Sequence, residues 1–239
     1  MSIWGKFIVS AAGFALGGPI GALIGVVAGH AIDKIKTKQK LPEESALKQI
    51  GFTVGVIVLS AKMAKADGKV TKEEIRAFQN KISVPENEIK NVARLWDQAK
   101  KTTDGFEVYA QQICQLLGKN SSVLEELLSL LIIIAKADGK ITKSEILYLK
   151  QVSIIFGFSI EKFERIYSSN LGKISDPYQI LGVTRNTPIV EIKNKWKLLA
   201  SNHHPDKLIA QGLPIDFIEK STKRLQEINN AWDIIKSQQ

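Results

Sequence analysis

Two adjacent histidines, His203 and His204, stand directly before Pro205, Asp206 and Lys207 near the C-terminus of this 239-residue chain. Imidazoles beside a carboxylate could relay protons or hold a metal. No acidic or cysteine partner stands at ligand spacing from the pair, so no metal site is expected. The residues upstream point to a different chemistry. On a helix turning ~100° per residue, Lys193, Lys197 and His204 fall within about 40° of one another, while Ile192, Trp196, Leu199 and His203 fall within about 60° on another face. A small basic face therefore ends at a histidine, a backbone-fixing proline and an aspartate, a pattern suited to docking rather than catalysis.

A second set of candidates is acidic. The stretch Ala64-Lys65-Ala66-Asp67-Gly68-Lys69-Val70-Thr71-Lys72-Glu73-Glu74-Ile75 returns, 71 residues later, as Ala135-Lys136-Ala137-Asp138-Gly139-Lys140-Ile141-Thr142-Lys143-Ser144-Glu145-Ile146. The aspartate, glycine and later glutamate suggest the second half of a calcium loop. Counting back removes that reading, because the first and third ligand positions would be Met63 and Lys65 in one copy and Ile134 and Lys136 in the other. A hard cation needs oxygen ligands there. A looser acidic site combining Asp67, Glu74, Asp138 and Glu145 stays open, but turn formation and helix capping are the better use of these residues.

The elements that would position them are helical. Each copy reads as helix, Asp-Gly turn, helix, an internal duplication. Val54–Leu59 and Leu127–Ile134 are apolar runs upstream of the turns, and Thr71 with Glu74 and Thr142 with Glu145 make capping boxes downstream. Ser122 with Glu125 and Ser83 with Glu86 read as further caps. No strand is expected between 41 and 170. In the C-terminal part, a helix is expected from about Ile189 to His203, a loop through Gly212 and Pro214, and a last helix to about Lys236 whose Leu225, Ile228, Trp232 and Ile235 form one buried stripe. The fold class is all-α, divided into an N-terminal segment (1–32), a basic linker (33–44), a helical bundle (45–170) and a helical hairpin (171–239).

The N-terminal segment contains 23 uncharged residues from Phe7 to Gly29. As a helix they would reach about 34 Å, enough for a hydrocarbon core of ~30 Å. Their ten large apolar side chains favour insertion by about 3–6 kcal/mol, and six glycines, Ser10 and Pro19 dilute that. Gly13, Gly17, Gly21, Gly25 and Gly29 recur every fourth residue, a ladder that lets helix backbones approach closely in lipid and implies self-association. Pro19 would kink this helix or begin a second turn after Gly17-Gly18. A cleaved signal peptide fits less well, since the basic n-region is one lysine, Lys6. A glycine-rich hairpin buried in a soluble fold also competes with the span, as does an amphipathic surface helix, for which the segment lacks a polar face. Lys34, Lys36, Lys38 and Lys40 after the span, against Lys6 before it, place the rest of the chain in the cytoplasm.

The formal charge of +9 comes from 33 basic and 24 acidic residues. It spreads as +1, +6 and +2 over residues 1–32, 33–175 and 176–239, a diffuse excess without the stripe that nucleic-acid binding needs. Cys114 is the only cysteine, which excludes a disulfide framework and a four-thiolate zinc site. No nucleophile–base pair and no phosphate loop appear, so neither enzymatic activity nor a cofactor is expected.

The paired A-x-A-D-G-x-[VI]-T-x-x-E motifs resemble the TerB-like domain over roughly 45–170, which implies an all-helical, pseudo-twofold fold and says little of function. Asp176-Pro177-Tyr178-Gln179-Ile180-Leu181-Gly182-Val183, then Glu191-Ile192-Lys193 with Trp196-Lys197 and Leu199-Ala200, then His204-Pro205-Asp206-Lys207, resemble a J-domain over 176–239. That resemblance implies that His204, Pro205 and Asp206, with Lys193 and Lys197, dock onto a DnaK-type chaperone and stimulate its ATP hydrolysis. Leu198 stands where the family carries a further basic residue, which implies weaker or more selective docking. No Gly/Phe-rich segment follows, and the cysteine-rich zinc repeats of longer DnaJ proteins are absent. The order of glycine-laddered anchor, TerB-like domain and C-terminal J-domain is similar to the DjlA family of membrane-anchored DnaJ-like co-chaperones. It implies a dimer at a bacterial inner membrane, single-pass, with its domains in the cytosol. Competing readings are an import-motor J-protein of a mitochondrial inner membrane and a membrane stress sensor or scaffold acting through the central bundle, with a regulatory J-domain.

Overall fold

The computed structural model describes residues 17–22, 44–66, 78, 86, 89–101, 105–137, 139–172 and 176–238. Among them are ten α-helices, one 3-10 turn and no strand, as the apolar periodicity requires. The central bundle comprises α1 (Glu44–Ala66), α2 (Ile89–Lys101), α3 (Phe106–Leu117), α4 (Ser122–Ala135), α5 (Lys143–Ile155) and α6 (Ile160–Asn170). The C-terminal part comprises α7 (Pro177–Leu181), α8 (Ile189–Asn202), α9 (Pro205–Ala210), a 3-10 turn (Ile215–Phe217) and α10 (Ile218–Ser237).

Helix α1 runs through the middle of the bundle and packs on α2, α3 and α4. Among the described residues it is the one helix long and apolar enough to cross a membrane, but its apolar window, Ala46–Ala64, is 78% buried within the protein. It is therefore a core helix, with apolar side chains on all sides because every side meets a neighbour. The second copy of the repeat forms as expected. Thr142 caps α5 by accepting from the Glu145 N–H, and the Glu145 carboxylate accepts from the Thr142 N–H at 2.7 Å. Gly139, at φ 104°, makes the turn before it. In the first copy, residues 67–77 lie outside the described residues, and so do Asp138 and Ser83.

Two expectations change. The cap of α4 is Ser121, whose hydroxyl accepts from the Leu124 N–H at 3.3 Å, and Ser122 is the first helical residue. Glu125 is therefore free of capping and points into a buried charge cluster. In the N-terminal segment the second turn expected after Gly17-Gly18 forms: both glycines adopt φ 57°, a left-handed break, and a helical turn spans 18–22. Gln112 on α3 receives this break, donating to the Gly17 carbonyl and accepting from the Ile20 N–H, both at 2.8 Å, while Ile20 is fully buried in the bundle core. The expected glycine ladder is interrupted where it is described, since Gly17 is non-helical and Gly21 is buried, and Gly13, Gly25 and Gly29 lie outside the described residues.

Candidate docking site

The C-terminal hairpin holds itself together with a small core of Leu181, Ile192, Ile228, Ala231, Trp232 and Ile235. Leu225, the remaining member of the expected stripe, is only half-buried. Trp196 on α8 stacks on Trp232 of α10 at 5.2 Å and 12°, and its indole N–H donates to Asn229 at 2.9 Å. This pair fixes α8 against α10. On the opposite side of α8, Lys193 and Lys197 are exposed, and Leu198 beside them is 55% exposed. The basic face lies where the helical wheel puts it.

Helix α7 explains the Asp-Pro-Tyr start: Asp176 caps it by accepting from the Tyr178 N–H, Pro177 takes the first turn where no N–H is needed, and Gly182 ends it at φ 67°. The same logic operates at His204-Pro205-Asp206, where the sequence suggests a loop and the structure has a short helix, α9. His204 caps α9, its ring Nδ1 accepting from the Asp206 N–H at 3.3 Å, and Pro205 is the first helical residue. Lys207 reaches back to donate to Asn202 at 2.7 Å, tying α9 to the end of α8. The side chains of His204 and Asp206 are 54% and 88% exposed. All five expected docking residues, His204, Pro205, Asp206, Lys193 and Lys197, thus lie on α8 or at the start of α9, four of them with exposed side chains and Pro205 half-buried.

His203 behaves differently. It belongs to the apolar face of α8 and is buried, yet it leaves the hairpin core and enters the central bundle. Its Nδ1 lies 3.4 Å from Glu126 and its Nε2 3.6 Å from Glu125, both buried on α4. Lys162 on α6 pairs with Glu125 at 3.1 Å, and Arg224 on α10 donates to Ser169 of α6 at 2.9 Å. Burial is the strongest influence on the Glu125 carboxyl and pushes its pKa up, but His203, Lys162 and Arg224 together outweigh it and hold it below the ordinary value. Sequence reasoning missed Glu125 and Glu126, for which the only signal was two adjacent acids in an otherwise apolar helix. Among the described residues no group of His, Cys, Asp and Glu could hold a metal, and Glu145 is committed to its cap.

Three family models match the chain in series. Residues 1–49 match the co-chaperone DjlA transmembrane domain, 53–168 the tellurite resistance protein TerB, and 176–239 the DnaJ domain. Curated relatives extend over almost all of it. The co-chaperone protein DjlA of Coxiella burnetii is 27% identical, covering 97% of this chain and 96% of the relative. That of Photobacterium profundum is 28% identical over 99% of each. The chain belongs to the DjlA-type co-chaperones. A third DjlA relative, from Vibrio cholerae, is 26% identical over all of this chain and 99% of its own. No solved structure matches the chain significantly. As a DjlA-type protein it is membrane-anchored, with the match to the family's transmembrane domain at its N-terminal end, and its J-domain is the segment that carries the exposed tripeptide.

Proposed function

We propose that this chain stimulates ATP hydrolysis by a DnaK-type chaperone at the cytoplasmic face of a bacterial inner membrane. One observation supports this best: His204 and Asp206 stand exposed at the end of α8, beside exposed Lys193 and Lys197. The lysines steer the tip toward an acidic surface and raise the rate of encounter. His204, Pro205 and Asp206 then make the specific contacts, with their backbone already set by the cap on α9. In this reading the chain is not itself an enzyme, takes no metal or cofactor, and binds no nucleic acid. It also pairs with a second copy through its membrane anchor, which cross-linking of the full chain in vesicles should capture as a dimer.

The experiment uses the full chain in lipid vesicles, titrated into a DnaK-type chaperone with ATP while phosphate release is followed. Wild type should raise turnover to a plateau, and His204→Gln should leave it at the basal rate without loss of folding. A wild-type chain that leaves turnover unchanged at saturating amounts would contradict the proposal. Survival of the cellular function in His204→Gln, with stimulation lost, would instead favour the sensor or scaffold reading.

A further inference from the structure

The buried apolar side chains of the segment that follows the docking tripeptide do not join the hairpin core. Leu208 and Leu213 are fully buried and Phe217 nearly so, and all three join the core of the central bundle instead of the cluster around Trp232. Phe217 meets Phe52 of α1 edge-on, with ring centroids 5.0 Å apart. Gly212, at φ 107°, lies so close to α1 that an added Cβ would sit 2.5 Å from the Cβ of Lys48 and 3.3 Å from its carbonyl carbon. Such an approach admits only glycine. On the other side of the tripeptide, His203 is held between Glu125 and Glu126.

The tip is thus gripped immediately before and after by the bundle, while its own side chains face outward. A masking contact would have buried His204 and Asp206, and it does not. We infer that the TerB-like bundle is part of the docking apparatus, with Glu125 and Glu126 holding His203, Lys48 meeting Gly212 and Phe52 meeting Phe217, positioning residues that together set the His204-Pro205-Asp206 tip. This role rests on the docking function proposed for the tip. The charged groups around His203 are Glu125 and Glu126 from α4, Lys162 from α6, and Arg224, Lys223 and Glu227 from α10, which line or border a cleft of about 260 Å³ between the two domains. A histidine ring with a different carboxylate at each nitrogen is fixed in orientation, and the residue after it inherits that orientation. If the grip loosens, fewer chains hold the tip in its binding geometry, so the apparent affinity for the chaperone falls in proportion while the plateau is kept.

The test is a double-mutant cycle on the full chain in vesicles, read as the concentration giving half-maximal ATPase stimulation. His203→Phe leaves Glu126 without its partner, Glu126→Leu leaves the Nδ1 of His203 without one while Glu125 stays at Nε2, and the double variant removes both groups of the pair. Each single change should raise the half-maximal concentration by about threefold or more, and the double variant should fall well short of the product, as expected of residues in contact. Hydrogen exchange should rise over 203–213 in each single variant and return toward wild type in the double, with α3 and α5 protected throughout. Unchanged half-maximal concentrations, or effects that simply multiply, overturn the inference. Gly212→Ala provides an independent arm should both singles fold poorly: it should give the same rise in half-maximal concentration, and normal stimulation would count against the inference. If wild type itself does not stimulate, the docking reading fails, and the exchange arm still decides whether the bundle holds the tip.

Discussion

The C-terminal domain contains two sets of buried side chains that lean on different partners. Leu181, Ile192, Ile228, Trp232 and Ile235 close on one another, so α8 and α10 hold each other without outside help. Leu208, Leu213 and Phe217, only a few residues away, join the core of the central bundle, Phe217 against Phe52 of α1. The first set makes a hairpin, and the second makes a junction. Two neighbouring histidines fall on either side of that division: His203 is buried against Glu125 and Glu126, while His204 faces solvent at the docking tip. A helical hairpin can be stable by itself, but the segment proposed to dock is packed here against the neighbouring domain.

The contrast can be broken most forcefully at Phe217. Truncating a buried phenylalanine costs about 3–5 kcal/mol, so Phe217→Ala should lower stability to urea by that order. The loss should appear in probes on α1 and α4. If only the fluorescence of the Trp196–Trp232 pair responds, Phe217 belongs to the hairpin and the division is wrong. Gly212→Ala comes next, at about 1–3 kcal/mol for a strained backbone, with the added clash against Lys48; a neutral effect on thermal unfolding would show that α1 does not press on that loop. On the outer face, Lys193→Ala with Lys197→Ala should slow association with a DnaK-type chaperone by on the order of tenfold at low salt, with little change at high salt. Stopped-flow binding checks this, and an effect that persists at high salt would point to a contact other than steering.

Thr142→Ala is a smaller test, on the bundle alone. Losing a cap costs about 1 kcal/mol, seen in the melting temperature, and stimulation should be unaffected because α5 is remote from the tip. The smallest effect is one of pH. Glu125 is held below its ordinary carboxyl value, so its contribution to stability is complete above that value and is lost as pH falls through the lower folded-state value. Urea stability of the full chain should therefore be level near neutrality and decline in acid, and Glu125→Gln should remove part of that decline. An unchanged acid limb would mean that the cluster does not couple the domains.

Some of this is legible in the sequence for clear physical reasons. Helical periodicity locates α8 and the end of α10 to within a residue or two, and the T-x-x-E spacing locates the cap of α5, since both depend on neighbours in the chain. That the five expected docking residues lie together is legible because three of them are consecutive and the lysines share a helix face with His204. The segment 205–210 reads as a loop, although Pro205 after a capping His204 is a helix start; the glycine and proline that follow obscure it. Glu125 reads as part of a cap on Ser122 because S-x-x-E fits that pattern, and Ser121, one residue earlier, takes the position instead. The destination of His203 is not legible at all. Whether an apolar-face histidine faces its own hairpin or a helix 77 residues earlier is decided by tertiary packing, which leaves no periodic trace.

The central claim, that the docking segment is an extension of the bundle, is tested most directly by native-state hydrogen exchange of the full chain at the Leu208 and Leu213 amides. Both are bonded within the segment, to the His204 and Leu208 carbonyls. The account predicts that these amides open with the same free energy and denaturant dependence as α1 and α4. Opening at much lower free energy, in step with a detached α9 while α1 and α4 stay closed, would contradict it.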